Sequence, residues 1–98
     1  MTPEEVDAVL AILKNYLRPD ELEKVEKKLS QMSDRGDLVE KTARVVTGII
    51  VERYMKDIPA DLQKDLRDVV KAFVEVTIRT IIVPRLTKAL YGVRKVGT

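Results

Sequence analysis

The chain has no cysteine, no histidine and no tryptophan, and a single phenylalanine. Without cysteine there is no disulfide, no thiolate metal site and no thiol redox chemistry. Without histidine the commonest general base, the commonest metal ligand and the side chain poised near neutral pH are all missing. Ser30 and Ser33 therefore have no imidazole partner, and no Gly-x-Ser-x-Gly turn exists. Four scattered glycines make no phosphate-binding loop. These absences predict a protein that is not an enzyme, with no catalytic residue, no resident metal and no cofactor.

Long uncharged runs are missing too. No window of 18 residues is free of charge, and the most apolar one still holds Arg79, so no membrane span is expected. The opening residues Met1-Thr2-Pro3-Glu4-Glu5 are acidic and lack the basic stretch that begins a signal peptide. A cytoplasmic location is the simplest expectation. High Lys, Arg and Glu without cysteine is compatible with a thermophilic source.

Apolar residues make up 45% and charged residues 35% of the 98. That is enough apolar content to argue for a folded domain rather than a disordered one. The length suits one domain with little core to spare. Net charge is only +2 but is unevenly spread. Residues 1–40 carry ten acids and six bases; residues 41–98 carry six acids and twelve bases. An acidic front and a basic rear can attract each other within a chain, between two chains, or toward a partner.

Apolar periodicity organises the rest. Thr2, Pro3 and Glu5 spell a capped helix start, followed by Val6, Val9, Leu10, Leu13 and Leu17 on one face. Pro19 opens a second helix with Asp20 and Glu21 in its first turn. Leu22, Val25, Leu29 and Met32 form its narrow seam. The stretch around Gly36 reads as a loop, with Asp37 capping a third helix over 38–56. Arg35-Gly36-Asp37 spells an adhesion tripeptide, but its residues have structural uses as helix stop and cap. Gly48 interrupts the third helix, and close approach of the fourth is the expected reason.

Residues 61–91 are the principal segment. Leu62, Leu66, Val69, Phe73 and Val76 recur at steps of four, three, four and three, one helical face. Val70, Val74, Ile78 and Ile81 form a second stripe beside it, making the apolar band wider than a surface helix needs. Pro84 predicts a kink or break, then a short helix ending at Gly92. Asp57, Asp61, Asp65 and Asp68 are spaced as cation ligands could be, but Lys64, Arg67 and Lys71 interleave them as helical ion pairs.

The expectation is an all-α bundle of four main helices with a short C-terminal helix, residues 1–92, followed by a basic flexible tail, 93–98. The alternative is an α+β fold with strands near 45–51 and 74–83, where Val, Ile and Thr crowd. Two functions remain open. The first is a small non-enzymatic interaction module, self-associating or a subunit or adaptor of a larger protein assembly. It is expected as a symmetric homodimer through the third and fourth helices, with Val70, Phe73, Val74, Ile78 and Ile81 as candidate interface. The second is nucleic-acid binding through Arg85, Lys88, Tyr91, Arg94 and Lys95, since Lys and Arg neutralise phosphates and Tyr stacks on bases.

Overall fold

A computed structural model describes residues 1–33 and 35–96, with side chains described as far as Val93. It is all-α, with no strand among the described residues. The helices are α1 (Pro3–Leu13), α2 (Pro19–Ser30), α3 (Leu38–Met55), α4 (Ala60–Thr77) and α5 (Val83–Val96). A single wide π-turn, Ile78–Ile82, joins α4 to α5 without a break. The α+β alternative is thereby excluded for 45–51 and 74–83, which are helical. Val46, Ile49, Val51, Val74, Ile78 and Ile82 are buried on inner helix faces, and that burial outweighs a weak local preference.

The local chemistry explains the boundaries. Thr2 and Glu5 form a reciprocal capping box at α1. Glu21 bonds back to the Arg18 N–H at α2. Asp37 Oδ1 accepts from the N–H groups of Val39 and Glu40 at α3. Gly36 takes φ 82°, the left-handed region that favours glycine. Gln63 donates to the carbonyls of Met55 and Ile58, satisfying acceptors left over where α3 ends.

Pro84 does not stop the helix. Its ring would crowd the carbonyl four residues back and it has no N–H to give. The chain answers with a wide turn immediately before it, in which the Val83 N–H bonds to the Ile78 carbonyl, an i→i+5 step. The turn has a second effect. Val74, Ile78, Ile82, Leu86 and Leu90 are all buried and recur strictly every four residues. In a regular α-helix such a row drifts by about 40° per step, because a turn holds 3.6 residues. The extra residue in the wide turn takes back part of that drift and keeps the row on one side. The helix then continues through Gly92 to Val96, so Gly92 lies inside it instead of at its end.

The core sits where α1, α2, α3 and α5 surround one another, with Val9, Leu13, Val25, Leu29, Val46 and Leu86 fully enclosed. α1 packs on α2 and α5; α3 packs on α2, α4 and α5. Beyond its own continuation, α4 touches α3 alone. The molecule is elongated, 51 Å by 24 Å by 24 Å. The unbroken helix from 60 to 96, about 54 Å long at about 1.5 Å per residue, accounts for the long axis. Gly48 is not a contact between α3 and α4. A methyl group there would meet no atom within 4 Å, so close packing of the fourth helix does not explain the glycine.

Candidate interaction surface

α4 is the least covered element of the fold. Of its 18 residues only Val74 is buried. Leu62, Leu66, Val69, Phe73 and Val76 all stand exposed, with Phe73 at 69% of its full surface. They share one face, and their 4-3-4-3 spacing is a heptad seam rather than the broader band of an ordinary surface helix. Val70 is half-buried, next to the contact with α3. Single exposed apolar side chains are ordinary on a protein surface; here five stand in one row along a single helix.

The two stripes of the segment thus exchange roles. Val74 and Ile78, expected at an interface, are 2% and 1% exposed within the single chain and so are closed to any partner. Phe73 and Ile81 are exposed, and Val70 is partly so. The reason is length. The row through Val74 and Ile78 continues into Ile82, Leu86 and Leu90 and meets helices along its whole course. The row through Phe73 has no such continuation. Thr80 stands next in its heptad, polar and exposed, and Val83, three residues on, is half-buried against the core.

Charge frames the seam. Asp61, Asp65 and Asp68 lie exposed along the N-terminal half of α4. Arg79 lies at the other end and grips Glu40 of α3 through both nitrogens, at 3.1 and 2.6 Å. That hydrogen-bonded pair holds the Glu40 carboxyl below its ordinary range and raises the Arg79 guanidinium. Glu40 also faces Arg44 at 3.8 Å, so two cations share one carboxylate. Beside them a groove of about 600 Å³ runs between α3 and α4, with Ala43, Thr47 and Gly48 among its lining residues. Among the described residues no three metal-ligating side chains gather around one point.

Among the described side chains of the basic C-terminal segment, Arg85 is already engaged. Arg85 donates to the Tyr16 hydroxyl and lies 5.7 Å from the centre of its ring, which ties it to the link between α1 and α2. Lys88 and Tyr91 are exposed on α5. Arg94 and Lys95 lie outside the residues whose side chains are described. The seam's spacing is legible in the sequence and its exposure is not, because an amphipathic row looks the same whether it faces a core or water.

No protein-family model, no curated protein and no solved structure matches this chain. Among the described residues no helix is long and apolar enough to cross a membrane.

Proposed function

We propose that this protein is a small, non-enzymatic helical interaction module that works by docking a helix onto α4. A cytoplasmic setting belongs to the proposal, and the cysteine-free composition is compatible with it. The observation that carries the reading is the exposed heptad row from Leu62 to Val76. Keeping such a row in water costs solubility, and covering it recovers about 1.5–3 kcal/mol for each large apolar side chain fully buried. The narrow seam suits a helix better than a strand or a small ligand, because side chains at heptad spacing fit as knobs between those of a facing helix.

A photo-crosslinking residue at Val69 in living cells tests this. A discrete protein adduct is expected from that position and none from Lys28, an exposed residue of α2. Equal, diffuse labelling at both positions would overturn the reading. The mass of the adduct identifies whether the docked helix belongs to this chain or another.

Nucleic-acid contact through Arg85, Lys88, Tyr91, Arg94 and Lys95 is the weaker reading. Of its five residues only Arg85, Lys88 and Tyr91 have described side chains, and Arg85 spends one nitrogen on the Tyr16 hydroxyl. Titration of generic DNA and RNA at low salt decides it, since phosphate contacts are strongest there.

A further inference from the structure

The helix that fits the α4 seam has a specific charge pattern, and α4 itself carries it. In heptad terms Leu66 and Phe73 occupy a positions and Leu62, Val69 and Val76 occupy d positions; Thr80, in the first half of the wide turn that continues α4, falls at the next a. All six are exposed. Asp65, Ala72 and Arg79 then fall at g, along one edge of the seam. The edge is acidic at one end, small in the middle and basic at the other.

A parallel copy would set acid beside acid at one end of the seam and base beside base at the other. An antiparallel copy does the reverse. Packing each a residue against a d residue of the opposing helix fixes the register. Leu62 meets Thr80 of the second copy, Leu66 meets its Val76, and Val69 meets its Phe73. In that register g faces g. Asp65 of each copy comes opposite Arg79 of the other, and the two Ala72 methyls meet near the two-fold axis. The Arg79 side chain is 59% exposed while bound to Glu40. It spends only its two terminal nitrogens on that carboxylate, so donors remain for a second one. The large side chain Phe73 falls against the smaller Val69, which avoids stacking two large residues in one layer. The axis of such a contact makes it closed and isologous.

On this basis, and resting on the helix-docking reading above, we propose that the occupant of the seam is α4 of a second copy of this chain, packed antiparallel with Asp65 opposite the other copy's Arg79.

The natural lack of cysteine makes the test direct, since engineered thiols report alone. Light scattering on the full chain at micromolar concentration should give twice the single-chain mass. Under mild oxidation, Leu62→Cys mixed with Thr80→Cys should form a mixed disulfide in high yield. Leu62→Cys alone should not self-link, because 18 residues of antiparallel helix separate the two sites by about 27 Å. Phe73→Asp should raise the dimer dissociation constant about tenfold or more, and Asp65→Arg with Arg79→Asp in one chain should restore what either change alone weakens. A wild-type mass of one chain overturns the proposal but leaves α4 open to a foreign helix, which the crosslinked adduct at Val69 would reveal. Efficient self-linking of Leu62→Cys shows a parallel pair and also overturns it. If Phe73→Asp loses helicity together with mass, the disulfide pattern alone decides between these outcomes.

Discussion

The guanidinium of Arg53 meets the carboxylate of Glu21 side-on. Nε lies 2.7 Å from Oε2, and Nη2 binds Oε1 as well. The residues are 32 positions apart, so the pair ties the start of α2 to the end of α3. Glu21 Oε1 also accepts the Arg18 N–H at 2.9 Å, and Arg53 Nη2 reaches the Tyr16 carbonyl at 3.4 Å. Through Tyr16, which receives Arg85, the cluster extends to α5. One carboxylate thus caps α2 and holds α3, and Tyr16 carries the cluster on to α5.

The Glu21 carboxyl is held below its ordinary value, first by the Arg53 hydrogen bond, against an opposing contribution from burial. A depressed folded-state pKa stabilises the fold fully above the unfolded-state value, and the stabilisation is lost as pH falls through the folded-state value. Glu21→Gln should cost about 2 kcal/mol at neutral pH, less than the loss of one partner of a fully buried pair. It should also flatten the fall in stability through the acidic range. Urea titrations at a series of pH values measure both effects; parallel acid limbs for the two proteins would contradict the assignment.

Phe73 and Val74 are neighbours in the chain, yet one is 69% exposed and the other 2%. In dilute solution, where single chains prevail, Val74→Ala should cost about 2 kcal/mol and Phe73→Ala within about 0.5 kcal/mol of nothing. Ile78→Glu should abolish cooperative folding, whereas Ile81→Glu should retain the helical circular dichroism of the wild type. Comparable losses at Phe73 and Val74 would mean that α4 is rotated relative to α3.

Gly48 lies exposed in the middle of α3 with open space where a side chain would begin. Gly48→Ala should therefore stabilise the chain by about 1 kcal/mol, the difference in helix propensity. Thermal melts at equal concentration test this. A neutral or destabilising result would require another molecule to approach α3 closely at that point.

Asp37 holds two N–H groups of α3 with a single oxygen, at 3.0 and 3.3 Å. Asp37→Ala should cost about 1 kcal/mol, while Asp37→Ser should recover most of the loss because serine also caps. Hydrogen exchange at Val39 and Glu40 should accelerate in the alanine variant and not in the serine one. Equal protection in both variants would leave the cap without an energetic role.

Local chemistry was enough to place the first three helix starts, though not the ends, since the helix runs on past Pro84 and Gly92. The Thr2–Glu5 box, Pro19 before two acids, and Asp37 after Gly36 mark starts that depend on a few adjacent residues, and the apolar steps name each inner face where a helix has one stripe. From 62 onward two stripes compete, and nothing within the segment distinguishes core from surface. Only the tertiary arrangement decided it. The row at steps of four could stay against α1 and α3 as far as Leu90, provided one wide turn before Pro84 took back part of its drift. The seam of Leu62, Leu66, Val69, Phe73 and Val76 was left on the outside of a helix that has only α3 beside it, because a straight rod can press one face at a time against its own fold. Gly48 makes the same point from the other direction: its helix cost is visible in the sequence, and the open space beside it depends on how far apart two helices come to rest.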